Sequence, residues 1–202
     1  MIIGLTGGLG CGKSEVAKIL KKRGLMVISA DEVAHHLLEE DFVKSRIREI
    51  FGEVVFTPNG KVDRKKLAGI VFSDEEKLHK LNSILHPLIR RVINAEIAKA
   101  RERGENLVVE IPLLLESKGA YDVDVIVVVS TPLNKVIKRL KEKRGWSEEE
   151  IKRRLSKQMP LKQKERLADH VIRNDGTLAD LEAKVNALLE KLCDRFHRGE
   201  GN

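Results

Sequence analysis

Five short stretches of this chain are apolar almost without interruption: residues 2–5, 25–29, 107–111, 125–129 and 170–172. Strict alternation of apolar and polar residues marks a strand with one wet face. Continuous runs rich in Val and Ile mark strands buried on both faces, as in a parallel sheet. The run at 125–129 consists of five β-branched residues with no charge among them. Between the runs the apolar positions fall at helical spacing: residues 15–22, then Val136, Ile137 and Leu140 behind Pro132, and finally Leu178, Leu181, Val185, Leu188, Leu189 and Leu192. The pattern predicts an α/β chain with three layers, helices covering both faces of a five-stranded parallel sheet.

One interval breaks the strand–helix alternation. Residues 32–104 are helical in pattern and too long for a simple crossover. Val33, Leu37 and Leu38 fit one helical face, and Phe42, Ile47, Ile50 and Phe51 suggest a second. Thr57, Pro58, Asn59 and Gly60 mark a turn. Ser73 and Asp74 open a further helix through Leu78, Leu81 and Leu85, which His86-Pro87 is expected to interrupt. A long helix with Ile89, Val92, Ile93 and Ile97 should follow. Later in the chain a helix should stop near Gly145, and Ser147 with Glu150 has capping-box spacing. Ile151, Leu155 and Met159 are expected on one face of the helix so begun. The expected organisation is a core of residues 1–31, 105–138 and 167–202, a helical substrate-binding insert at 32–104, and a basic helical lid at 139–166. The tail beyond Cys193, with Arg195, His197 and Arg198, should fray.

Charge sharpens the lid assignment. The 202 residues carry a formal net charge of +7. Residues 133–166 hold eight Lys and five Arg against five Glu, a surplus of eight, so the rest of the chain is near −1. Such a segment suits nucleic acid or a lid that closes over a polyphosphate. Aromatic residues are only 3% of the chain and lie scattered, so the stacking platform of a single-strand binder is missing, and nucleic acid is not expected as a partner. Most of these cations should face water, as charge runs on helices do. Two cysteines make no disulfide framework, and Cys11 sits where a bridge would obstruct a loop. With no apolar stretch of membrane-spanning length, the expected location is the cytoplasm, with no membrane partner.

The chemistry is concentrated in residues 4–14, GLTGGLGCGKS, where Gly7, Gly12, Lys13 and Ser14 have the spacing G-x-x-x-x-G-K-S between a strand and a helix. Glycines let the backbone turn its N–H groups around a phosphate, and the following helix presents its positive end to the same anion. Lys13 supplies a cation for the β- and γ-phosphates and the Ser14 hydroxyl a ligand for Mg²⁺. The expected ATP-binding set is Gly7, Gly10, Cys11, Gly12, Lys13, Ser14 and Glu15, with Asn174 serving either adenine contact or a simple turn. Glu110, near the third strand's end, is a candidate for the Mg²⁺ shell through water, as a Walker-B acid, or a stray acid. Asp31 stands at the end of the second strand, and parallel sheets bind ligands at that edge. An acid there can accept a hydrogen bond from a substrate hydroxyl or from metal-bound water, or it can cap the next helix. No H-x-x-x-H pair or partnered cysteine points to zinc, and Asn134-Lys135 does not continue as a guanine motif. A helical insert and a late basic lid match small-molecule kinases, in which the lid excludes water.

The ordered set of motifs is similar to that of the dephospho-CoA kinase family over nearly the whole chain. It comprises GLTGGLGCGKS; Ala30-Asp31 with Ala34; Asp63-Arg64 with Leu67 and Val71-Phe72; and Leu81-Asn82 with His86-Pro87. It continues with Pro112-Leu113-Leu114 and Glu116, Arg139 and Arg144, Arg154 with Gln158, Ala168-Asp169, Val171-Ile172 and Asn174. Ser29 departs from the pattern, because many members have an acid there. The resemblance implies transfer of the ATP γ-phosphoryl group to the ribose 3′-hydroxyl of dephospho-CoA, with Mg²⁺ as cofactor. It implies that Lys13, Asp31, Arg139 and Arg144 are catalytic and that Arg64, His86, Pro112 and Leu113 join Asp31 in binding the acceptor. For Arg139 and Arg144 the residues alone also allow surface ion pairs, for Arg154 and Gln158 a structural role, and for His86 a role beside Pro87 in ending a helix. Two other functions share parts of the pattern: a nucleoside or nucleoside-monophosphate kinase, and a nucleotide-dependent protein that binds nucleic acid.

Overall fold

The computed structural model describes the backbone of residues 1–199 and the side chains of residues 1–192, so Cys193 and the polar side chains of the tail lie outside the described set. The chain divides into two compact units, one of Met1–Ile28 with the residues from Ile97 on, the other of Ser29–Glu96. The five apolar runs are strands of one sheet: β1 (Ile2–Gly7), β2 (Met26–Ser29), β3 (Leu107–Glu110), β4 (Val125–Ser130) and β5 (His170–Arg173). Their order is β2-β3-β1-β4-β5. β1 runs parallel to β3, with Leu5 opposite Glu110, and to β4, with Gly7 opposite Val129. β4 in turn runs parallel to β5. Every residue of β1 is buried, which is why its run is unbroken.

Alternate residues of the strands feed different layers. Ile3, Leu5, Val108, Val127, Val129 and Ile172 share a core with α1 (Lys13–Lys22), α6 (Leu133–Arg144) and α9 (Leu178–Gly199). On the other face a side chain at Gly4 would collide with Leu114 and Val123. Two carboxylates fix the strand starts. Asp124 accepts the Ile2 N–H at 2.6 Å and Asp169 the Ile126 N–H at 2.8 Å.

In the 133–166 segment the capping-box spacing holds in part. Ser147 accepts the Glu150 N–H at 3.2 Å and opens α7 (Glu148–Leu155), but the Glu150 carboxylate turns forward to Arg154. The helix ends at Leu155, so Met159 does not extend its face as expected. Met159-Pro160 instead lead into a separate helix, α8 (Leu161–Leu167), with Pro160 at its N-cap.

The second unit contains α2 (Ala30–Leu37), α3 (Asp41–Phe51), α4 (Arg64–Ser73) and most of α5 (Glu75–Glu102). The turn expected at 57–60 is present, with Gly60 N–H donating to Thr57 O and a bridge between Phe56 and Val62. α3 buries Val43, Ile47 and Phe51, not Phe42 and Ile50, since only the former three repeat every fourth residue. The expected break at His86-Pro87 does not occur: α5 runs straight through Pro87. A proline removes one N–H and crowds one carbonyl, a cost of about 3 kcal/mol. The buried row Leu81, Leu85, Ile89, Ile93 and Ile97 passes through it at four-residue intervals and offsets that cost.

Candidate active site

Gly7 ends β1 with φ 153°, and a side chain there would meet the Val129 carbonyl oxygen at 2.3 Å. The chain then turns through residues 8–12 and enters α1 from Gly12, whose φ of 88° is left-handed. A Cβ on Gly12 would lie 2.2 Å from the Asn174 amide nitrogen. The loop is glycine-rich because neighbouring backbone and side chains leave no room, as well as for its dihedral angles.

Its outer wall is held by residues far away in sequence. The Cys11 carbonyl accepts Asn174 Nδ2 at 2.9 Å and lies 3.0 Å from Thr131 Oγ1. The Asn174 carbonyl in turn accepts Arg139 NH2 at 3.2 Å. Leu9 N–H donates to Gln158 Oε1 at 3.2 Å. Asn174 is buried and its amide is committed to the loop. Cys11 enters the core through its side chain, and burial pushes its thiol up despite the nearby Lys13 ammonium. The loop thus uses its backbone here, not its sulfur.

Inside the loop Lys13 Nζ donates to the carbonyls of Gly7 and Gly8 at 3.4 and 3.2 Å. Ser14 Oγ donates to Glu110 Oε1 at 3.3 Å. Glu110 ends β3 beside β1, and it is buried while Ser14 is exposed, so a strand-end acid and the loop hydroxyl face one another. Glu15 pairs with Lys18 on the surface of α1. Two hard oxygen donors suit a magnesium ion that keeps water and phosphate as its remaining ligands. Among the described residues no three His, Cys, Asp or Glu side chains group as a metal cage.

The basic segment sorts into different roles. Arg139 is tied to the loop through Asn174, whereas Arg144, at the last position of α6, is exposed and its side chain makes no hydrogen bond or ion pair among the described residues. Arg154 donates twice to Glu150 and lies over the Trp146 ring at 4.1 Å. Pro112 offers its carbonyl to Thr6 Oγ1 and to Lys164 Nζ, and Leu113 offers its own to Ser117 Oγ. Lys164 is wholly buried, and nothing in a single sequence separates it from its solvated neighbours.

In the second unit, Asp31 is the second residue of α2 and is exposed; the capping position belongs to Ser29. Arg64 opens α4 at the surface, and Asp63 caps that helix by accepting the N–H groups of Lys65 and Lys66 at 3.1 Å. His86 lies on α5, where partial burial and the Arg90 guanidinium one turn on hold its imidazole below the usual range.

A family model described as dephospho-CoA kinase matches residues 1–180. The chain is 39% identical over 196 residues to the dephospho-CoA kinase of Thermobifida fusca, covering 96% of this chain and 98% of that one. Among solved structures it is similar to a Thermus thermophilus protein with 35% identity and a TM-score of 0.77, over 95% of this chain and 97% of the other. It is also similar to the dephospho-CoA kinase of Campylobacter jejuni, with 28% identity and a TM-score of 0.67 over 94% and 96% of the two chains.

Proposed function

The chain belongs to the dephospho-CoA kinase family, an ATP-dependent kinase family of the last step of coenzyme A synthesis, and we propose how its residues divide that reaction. The loop of residues 7–14 binds ATP: its N–H groups and Lys13 hold the β- and γ-phosphates. Ser14 and, through water, Glu110 would hold Mg²⁺, which would supply charge neutralisation for the transferring group. The observation that carries this assignment is the Ser14–Glu110 contact beside a glycine loop that admits no side chain at Gly7 or Gly12.

Dephospho-CoA is the acceptor. Asp31 orients its ribose 3′-hydroxyl and receives the proton as the oxygen bonds to the γ-phosphorus and the bond to the bridging β–γ oxygen breaks, releasing ADP. An aspartate is a weak base at neutral pH, which suffices because a loose transition state asks mainly for positioning. Arg139 and Arg144 neutralise charge on the transferring group, since guanidinium forks match phosphate oxygens. Arg64, His86, Pro112 and Leu113 contact the acceptor, with residues 139–166 serving as the lid and residues 32–104 as the acceptor subdomain. Among the described residues no helix is long and apolar enough to cross a membrane, and a reduced, buried Cys11 in the loop fits the cytoplasm.

The test is ADP release with Mg-ATP, comparing dephospho-CoA with AMP, adenosine and no acceptor. Turnover on dephospho-CoA alone, with a 3′-phosphate on the product, is expected. Preference for AMP or adenosine would overturn the acceptor assignment.

A further inference from the structure

Among the described residues Lys164 is the largest fully buried side chain, and lysine is almost never buried without a partner. Its ammonium lies 2.8 Å from Glu116 Oε1 and donates to the Pro112 carbonyl at 2.9 Å, across 52 residues of sequence. The same Glu116 oxygen accepts the Met159 N–H at 2.9 Å, while Oε2 is buried with no partner. The carboxylate is therefore held by Lys164 and the Met159 amide through one oxygen. The residue before Met159 is Gln158, whose side-chain oxygen takes the Leu9 N–H of the phosphate loop. Two positions after Met159, Leu161 comes within van der Waals reach of any side chain built at Gly8. A continuous set of polar contacts thus joins the turn after β3 to the turn between α7 and α8, and from there to the loop.

We propose that Lys164 is a positioning residue for the donor site: by fixing Glu116 it sets the 156–160 turn so that Gln158 braces the phosphate loop. The proposal rests on the assignment of residues 7–14 as the ATP site. Lys164 touches neither nucleotide nor acceptor in this role. A buried ion pair contributes little net stability compared with an apolar pair of similar size, so stability alone is a weak reason for these two charges. Placement is a stronger one, because displacement of about 1 Å at a reacting group costs up to ~100-fold.

The experiment measures KM for ATP, KM for dephospho-CoA, kcat and the melting temperature of Lys164→Met, Gln158→Ala, the double variant Lys164→Met/Gln158→Ala, and the pair Lys164→Met/Glu116→Leu. The single lysine variant leaves a buried carboxylate unpaired and is expected to melt early; the apolar pair removes both charges and should recover folding. Expected results are a rise of about tenfold in KM for ATP in Lys164→Met, in the apolar pair and in Gln158→Ala, with KM for dephospho-CoA unchanged. In the double variant Lys164→Met/Gln158→Ala the effects should not multiply, because both act through one contact. An apolar pair that recovers both melting temperature and KM for ATP would make Lys164 merely structural and overturn the proposal. Multiplicative effects, or an unchanged KM in Gln158→Ala, would overturn it as well. Lys13→Ala is the separate control: if it left ATP affinity and turnover intact, the ATP-site assignment itself would fail, whatever Lys164 does.

Discussion

Residue identities in the candidate site follow from what each position must do. Gly7 and Gly12 are excluded from carrying side chains by the Val129 carbonyl and the Asn174 amide, so the G-x-x-x-x-G spacing reports crowding that arises far away in sequence. Asp31 is the sharper test of chemistry. As an exposed second residue of α2 it makes no capping bond that Asn would lose. Asp31→Asn is therefore expected to leave the melting temperature unchanged while lowering kcat on the order of 10²-fold or more, the usual scale for a general base. A full-rate variant in a dephospho-CoA turnover assay would remove Asp31 from the mechanism. The sequence marked Lys13 and Ser14 through spacing alone. It left Asn174 open between adenine contact and a turn, and the structure shows its amide engaged with the loop carbonyl.

At the level of elements, apolar runs mark all five strands: burial on both faces explains the unbroken runs of β1, β3 and β4, whereas the edge strands β2 and β5 keep short apolar runs although several of their residues are exposed. Helix ends were less legible. Pro87 was expected to divide a helix that runs unbroken for 28 residues, because local propensity was outweighed by a buried apolar row that passes through the proline. The Pro87 ring is exposed, so its removal should cost no packing. Pro87→Ala is expected to raise stability by about 1–3 kcal/mol in thermal or urea unfolding, as an N–H returns to the helix. A lower melting temperature would show that the ring stabilises α5 in some other way. Met159 shows the opposite case: the apolar period of the sequence continues to it, but α7 ends at Leu155.

For the whole molecule, the start of the central strand depends on one carboxylate. Burial raises the Asp124 carboxyl, but the Ile2 N–H, the Arg101 guanidinium and the N-terminal ammonium outweigh it and hold it below the usual range. A lowered folded-state value means that the stabilisation is fully present above the unfolded value, about 3.9, and is lost as pH falls through the folded one. Asp124→Asn should therefore cost about 1 kcal/mol at neutral pH. That gap should narrow as pH drops below about 4; a gap independent of pH, measured by urea unfolding across the range, would contradict the charge-based account. Other ion pairs among the described residues, such as Lys18–Glu15 and Lys80–Glu76, are exposed contacts three or four residues apart on one helix, and each is worth little.

The sequence by itself determined the phosphate loop, the number of strands and the parallel class, because each depends on short-range requirements: glycine where a Cβ has no room, short apolar runs at every strand, and unbroken ones in the inner strands where both faces are covered. Tertiary structure alone decided that β3 lies between β1 and β2, that Glu110 meets Ser14, and that one lysine of a basic segment is fully buried against Glu116. Those outcomes depend on which distant segments become neighbours, and a charge in a sequence carries no sign of whether water or a carboxylate will surround it.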